Sequence, residues 1–302
     1  MANSKYDFHK EEERITEPRF NRGTYIIVRV DGHKFHAFTE VHRFDKPNDK
    51  RALDLMVESA KQVIKTFKGH IPLAYGHSDE FSFLIRSSSS LLSRRVFKIT
   101  SMIPVVFATY YNSNWDRFFQ DSLSGAVTEK KYDAWFDARP KEYPNFKAVI
   151  DYFRWRQVDC HINNLYNTTL HAMSGRYVRY ELLSQPDASM SGVESLKTVK
   201  RTPITDWIKD QSKFSSAKEA TEQLSKTVSS DKHDIMFLRY GINYNNELEQ
   251  FKKGSILVDI DADYGNKRPK DESIRHLSVD LIGSQKFWDE YRHIFDDFIK
   301  LN

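Results

Sequence analysis

Two aspartates in this 302-residue sequence stand where chemistry could be done. Asp31 closes the apolar run 24–30 and is followed by Gly32. Asp79 lies in the tight connection His77-Ser78-Asp79 between the short apolar segments 72–76 and 80–85. Two carboxylates beside a glycine carbonyl that no side chain covers make a hard oxygen site suited to Mg²⁺. The same dipeptides also occur as ordinary turns, and the pattern alone leaves both readings open. Lys46 precedes one amphipathic stretch, and Arg94, Arg95 and Lys98 lie near the start of another. Phosphates favour helix N-termini and arginine forks, so a triphosphate chelated at the aspartates could reach this basic cluster. Solvated helix charge is the competing account. Two-metal nucleotidyl transfer fits the combination best, one ion activating a hydroxyl and the other holding the triphosphate. No GxxxxGK[ST] is present and no GxGxxG follows a strand, which excludes P-loop and Rossmann phosphate binding.

The elements that must position these residues are legible as period and punctuation. Residues 24–30 are β-rich and almost wholly apolar, as a central strand is. Pro47-Asn48-Asp49 starts a helix whose stripe Leu53, Met56, Ala60, Val63, Ile64 and Phe67 ends before Gly69. Two short strands follow at 72–76 and 80–85, then a helix over 91–110 and a strand at 135–139. Strand, helix, strand, strand, helix, strand is the ferredoxin-like split unit, an antiparallel palm with both helices on one face. The fold class is therefore α+β, with a catalytic core over 1–140 and a helical and mixed extension over 141–302. A long helix is predicted at 146–174, a strand or turn segment from Gly241 feeding a strand at 255–260, a last strand at 276–282, and a C-terminal helix from Gln285.

Composition narrows the class. Lys plus Arg is 46 against 42 Asp plus Glu, a net charge of +4 that permits a nucleic-acid partner without arguing for one. The single Cys160 excludes a disulfide framework and a cysteine-cluster metal site. The acid-rich opening and the lack of a long apolar run predict an intracellular protein with no membrane association. Cytoplasm or nucleus fits best, with the mitochondrion left open. The helical stretch from Arg154 to Asn167 interleaves arginines, amides, His161 and aromatics. It suits either stacking on unpaired bases or a buried, internally hydrogen-bonded network. Lys197, Lys200 and Arg201 add positive charge away from the carboxylates.

These residues resemble the tRNA-histidine guanylyltransferases. The matching stretches are VRVDGHKFHAF (28–38), KPNDKRALDLM (46–56), YGHSDEFSFL (75–84), FDAR (136–139), DYFRWRQVDCHINNLYNTT (151–169), SSDKHDIMF (229–237), GINYNNE (241–247) and FKKGS (251–255), with VDLIGSQKFWDEY near the end. They run in order over nearly the whole chain, and HINNLYN with GINYNNE is the most specific pair.

The resemblance implies a polymerase-palm core that adds nucleotides 3′ to 5′, with ATP, GTP and tRNA(His) as substrates and two Mg²⁺ ions. The metal ligands would be Asp31, the Gly32 carbonyl and Asp79. Asp31, Asp79, Ser78 and Lys46 would be catalytic. His33, Lys34, Phe35 and His36 would form the loop under the nucleotide, and Lys46, Ser78, Arg94, Arg95 and Lys98 would contact or support phosphates. His161, Asn163, Asn164, Lys197, Lys200 and Arg201 would contact tRNA, and a homotetramer would form. The sequence departs from the family at Pro140-Lys141-Glu142, where apolar residues are usual, and over 173–227, which is longer than usual. Templated repair of 5′-truncated tRNAs is the neighbouring reading. A non-catalytic tRNA-binding homologue and a cyclase-like palm enzyme are the remaining alternatives.

Overall fold

Alternation along β1 (Tyr25–Gly32) decides the layout. Ile26, Val28 and Val30 face one side of the sheet and Tyr25 and Ile27 the other, all of them buried. A strand covered on both faces reads as a continuous apolar run, which is why residues 24–30 lack polar alternation. The computed structural model describes residues 4–120, 127–183, 196, 198–261 and 273–295.

After α1 (Phe8–Thr16), β1 leads into α2 (Phe35–Val41) and α3 (Lys50–Thr66). Then come β2 (Leu73–His77), β3 (Glu80–Ile85), α4 (Val96–Ser113), the one-turn α5 (Trp115–Phe118) and β4 (Phe136–Tyr143). The order β4-β1-β3-β2 with α3 and α4 on one face is the expected ferredoxin-like palm. Asp49 caps α3, its side chain accepting the Arg51 N–H at 3.0 Å. Phe81, Phe83 and Ile85 of β3 meet Ile99, Ile103 and Phe107 of α4 in this first core.

The sheet does not stop at the palm. β7 (Ser255–Asp259) pairs antiparallel with β2, and β8 (Ile274–Leu277) pairs with β7, so the later part of the chain supplies two of six strands. Residue 140 lies within β4, inside the same sheet. The second face is covered by α6 (Phe146–Met173) and by the C-terminal helix Lys286–Phe295, through Phe146, Val149, Phe153, Trp288 and Phe295. The far half of α6 leaves the sheet and builds a separate core with Tyr177, Ile204, Leu224, Met236 and Tyr244. A two-stranded sheet of β5 (Val178–Leu182) and β6 (Val199–Pro203) lies nearby.

Several sequence expectations need correction. α2 is a helix where a loop was expected, because Phe35 and Phe38 turn inward on the first core. The helix expected from Leu91 starts at Val96. Residues 91–94 form a tight turn in which Leu92, Ser93 and Arg94 take left-handed φ. The segment from Gly241, expected as strand or turn, forms short helical turns at 244–246 and 249–253, and the last strand, expected at 276–282, is β8 ending at Leu277.

Arg94 explains the tight turn before α4. It is buried, and its guanidinium donates to the carbonyls of Thr24 (2.8 Å), Ser89 (3.0 Å) and Phe20 (3.4 Å) and to Thr24 Oγ1 (3.0 Å). It ties the entry of β1 to the loop after β3, so the phosphate role implied by the resemblance gives way to a structural one. Arg94→Ala leaves those carbonyls without their donor in a site closed to water. We expect a loss of about 2–4 kcal/mol, read as a lower denaturant midpoint at unchanged m-value. An unchanged midpoint would refute this assignment.

Candidate active site

Two turns meet at one end of the sheet. The β2–β3 hairpin is closed by Ser78 and Asp79, with Ser78 in the left-handed region at φ 52°. β1 lies beside β3 in register Asp31 opposite Glu80, so Asp31-Gly32 ends next to the hairpin tip. The Gly32 N–H donates to the Asp79 carbonyl at 3.0 Å and locks the two turns together. Glycine is required at 32, because a Cβ there would sit 2.4 Å from Cδ2 of buried Phe35.

The electrostatics follow from this convergence. Burial pushes the Asp79 carboxyl up, and the negative charge of Asp31 pushes it further, against a 2.8 Å hydrogen bond from Ser78 Oγ. Burial also raises Asp31, with Glu80 and the cross-strand Asp137 adding repulsion. Acids raised by burial and by neighbouring negative charge are a donor set a divalent cation would relieve. Among the described residues no group of three or more His, Cys, Asp or Glu side chains is placed to hold an ion. The candidate set is two carboxylates and a main-chain carbonyl.

Behind the turn lies a charged network that the sequence reading did not assign. Glu80 is buried, yet it is held below the usual carboxylate range. Burial alone would raise it, but His77 at 3.0 Å, Arg156 at 2.9 Å and the more distant Arg29 outweigh that. Arg156 continues to Asp159 at 2.6 Å and lies over the Trp155 ring. The signal was present in RWRQVDC, whose charged residues fall one helical turn apart at 156 and 159.

The remaining expected site residues divide. His33, Lys34 and His36 are exposed around the Asp31-Gly32 end, with the His33 N–H donating to the Trp135 carbonyl at 2.8 Å. Phe35 is a core residue and does not face a ligand. Lys46 is nearly buried and bonded to Glu40 (2.9 Å) and Thr39 (2.8 Å). Burial opposes ionisation of Glu40, but Lys46 and Arg176 together bring it down to about 2. Arg94, Arg95 and Lys98 are not brought to the carboxylates. Arg94 bonds to Thr24 at the opposite end of β1, a strand length of about 20 Å away. Arg95, in contact with Glu17, and Lys98 line an open cavity of about 650 Å³ beside α1.

Of the expected RNA contacts, His161 is exposed and lies beside Tyr244. Burial, then His233 and Lys252, lower its pKa. Asn163 is exposed and bonds Asp159 at 3.0 Å. Asn164 is instead buried, donating to Tyr244 Oη (3.0 Å) and accepting from Asn48 (2.8 Å), which makes it a structural tie. Arg201 is bound to Asp45, which also accepts from Tyr180 Oη at 2.6 Å. Lys200 is exposed, and Lys197 lies outside the described residues.

Comparison with known proteins places this geometry. Residues 6–144 match a family model described as tRNAHis guanylyltransferase, and residues 147–188 and 204–286 match the Thg1 C terminal domain. The tRNA(His) guanylyltransferase of Debaryomyces hansenii is 38% identical over 96% of this chain and 98% of its own length. That of Schizosaccharomyces pombe is 36% identical over 95% and 96%. The crystal structure of the Saccharomyces cerevisiae enzyme, 34% identical, covers 84% of this chain and 93% of its own, with a TM-score of 0.65. A bacterial guanylyltransferase-like protein in complex with ATP, 21% identical, shares the fold at a TM-score of 0.62. The chain is a nucleotidyltransferase and belongs to the tRNA(His) guanylyltransferase family.

Proposed function

We propose that this protein adds a GMP unit to the 5′ end of tRNA(His), in the 3′-to-5′ direction, with Mg²⁺ held by Asp31, Asp79 and the Gly32 carbonyl. The 5′-monophosphate is first activated with ATP, releasing pyrophosphate; the 3′-hydroxyl of GTP then attacks that phosphate and displaces AMP, and the added 5′-triphosphate is afterwards trimmed to a monophosphate. The observation that carries the reading is the Gly32–Asp79 backbone bond, which brings two acids to one turn, where the charge of Asp31 adds to burial in raising Asp79. The names of relatives matching nearly the full chain support the substrate.

Two bound ions would neutralise triphosphate charge and lower the pKa of the attacking hydroxyl. The chain's own groups do the positioning. Ser78 Oγ donates to one Asp79 oxygen at 2.8 Å and fixes it at the hairpin tip. The Glu80–Arg156 pair holds the hairpin's base against α6, keeping both carboxylates in place when their charge changes. Exposed His33, Lys34 and His36 offer hydrogen bonds and charge at the rim to the nucleotide phosphates. A homotetramer belongs to this reading, supported by the exposed Phe97, Met102 and Val105 of α4, an apolar surface that a single chain leaves open.

With 5′-labelled tRNA(His), ATP, GTP and Mg²⁺, we expect a 5′ extension of one nucleotide. Asp79→Ala should lower its rate by roughly a thousandfold while leaving tRNA binding near wild type and without lowering the unfolding midpoint. Failure to extend any tRNA, 5′-truncated ones included, would sink the enzymatic reading. A preference for truncated ends would favour templated repair.

The raised acids give a second test. A carboxyl whose folded pKa lies above its unfolded value of about 3.9 destabilises the fold as pH rises through that interval, and fully so at neutral pH. Mg²⁺ should therefore raise Tm at pH 7, and the gain should fade on acidification before ordinary carboxylates titrate. Asp79→Asn should raise Tm without metal and abolish the Mg²⁺ gain. Equal Tm with and without Mg²⁺ in the wild type would count against the site. Light scattering should give the mass of four chains, and Phe97→Asp should reduce it; a monomeric wild type would remove the tetramer.

A further inference from the structure

The sheet ends at β4, and that edge differs from the rest of the palm. β4 pairs with β1 only, and Pro140, which has no N–H to offer, sits opposite Val28 in its middle. A proline on an edge strand discourages the addition of another strand. What the edge offers is its side chains. Asp137, Arg139 and Lys141 are exposed in alternation, and Trp135 just before the strand is 69% exposed.

Trp135 is joined directly to the carboxylate turn. Its carbonyl accepts the His33 N–H at 2.8 Å, the next residue, Phe136, pairs with Gly32, and the indole lies near-parallel to the His33 ring at 6.5 Å. On its α4 side it borders an open groove of about 640 Å³ with Pro104, Val105 and Ala108 in the wall. The amide in that groove is already engaged. Asn112 donates to the carbonyls of Ala108 and Ala134, both at 2.9 Å, and accepts the Ala134 N–H at 2.8 Å. Thr109, Ser113, Lys130 and Asp133 make the rest of that groove polar, so the flat apolar face on offer is the exposed indole itself, which suits stacking without sequence choice.

Further along the edge, Arg139 stands directly opposite Arg29. Like charges at facing positions repel, and the carboxylates near them are distant, with Arg139 3.7 Å from Asp137 and Arg29 3.8 Å from Asp31. From Trp135 to Lys141 the strand spans roughly 20 Å, longer than one triphosphate and matched to a run of backbone phosphates.

Resting on the guanylyltransferase reading, we infer that Trp135 is a stacking platform for an unpaired nucleotide of the RNA substrate beside its reacting end, and that Arg139 and Lys141 carry the adjoining phosphates. The occupant is an RNA strand, since a free nucleotide would leave the second half of this edge without purpose.

The test compares Trp135→Ala, Trp135→Phe and the double variant Arg139→Ala/Lys141→Ala with wild type, using tRNA and a single-stranded RNA oligonucleotide. Because Trp135 is mostly exposed, its loss leaves the fold intact, which the unfolding midpoint checks. Trp135→Ala should raise KM for tRNA and Kd for the oligonucleotide about tenfold, with kcat at saturating RNA and KM for GTP unchanged. Trp135→Phe should recover most of the affinity. The double variant should flatten the slope of log Kd against log salt by about 1.4. Unchanged RNA affinity in Trp135→Ala overturns the inference, as does a rise in KM for GTP alone or a change in oligomeric mass without a change in RNA affinity. If the wild type extends no tRNA, the function reading fails separately, and oligonucleotide binding still decides the role of Trp135.

Discussion

Two carboxylates forced together at the ends of neighbouring strands are the constraint around which the rest is arranged. Burial first and neighbouring carboxylates second raise both Asp31 and Asp79, which costs stability in the absence of a cation. The turn can hold that conformation only because its neighbours are firmly tied. Gly32 gives its N–H to the Asp79 carbonyl, Phe35 fills the space a side chain at 32 would need, and Glu80 is clamped from three sides. The third acid of the cluster is thus separated from the first two by its environment. Glu80 stays ionised as a structural anion, while Asp31, with Arg29 at 3.8 Å, and Asp79, bonded by Ser78, are left raised and open to further compensation by a ligand.

The long helix α6 connects this site to the remainder of the chain. It spans about 42 Å and serves two cores in succession, which explains why its sequence shows no single apolar stripe. Its polar residues are the joints. Gln157 donates to the carbonyls of Lys253 and Val279 and accepts the Leu281 N–H. Asn164 links Asn48, just ahead of α3, to Tyr244. Each bond is satisfied in a site with little water, where an unpaired amide would be costly. HINNLYN and GINYNNE occur together in the sequence because Asn164 of the first bonds Tyr244 of the second.

Much of the palm was legible in the sequence because period and burial coincide there: a strand covered on both faces, a capped amphipathic helix, a hairpin with a polar tip. The acids of the site were legible for the same reason, as each ends a recognisable strand. Phe35 and Asn164 were misread as ligand-facing, since a motif records that a residue matters without recording which way it points. The start of α4 was misplaced because left-handed φ at Leu92, Ser93 and Arg94 is imposed by the carbonyls that Arg94 binds, contacts about 70 residues apart that no local pattern encodes. The strands β7 and β8 looked like an extension and prove to be part of the same sheet. Pairing partners distant in sequence leave no mark on periodicity.

The same distinction governs the basic residues. A count of 46 against 42 says little about a polyanion partner, because a cation already paired is not available to one. Arg94 is taken up by carbonyls, Lys46 by Glu40, Arg156 by Glu80 and Asp159, and Arg201 by Asp45. Burial makes most of these partnerships hard to exchange. Exposed cations outside these partnerships include Lys34 beside the carboxylate turn, Lys98 at the far end of the sheet, and Arg139 and Lys141 along the β4 edge. The β4 set adjoins the carboxylates through direct cross-strand pairing, with Asp137 opposite Asp31. On the inferred RNA role, part of the charge beside the carboxylates therefore lies along the β4 edge, in a row with Trp135 that a phosphate backbone can follow.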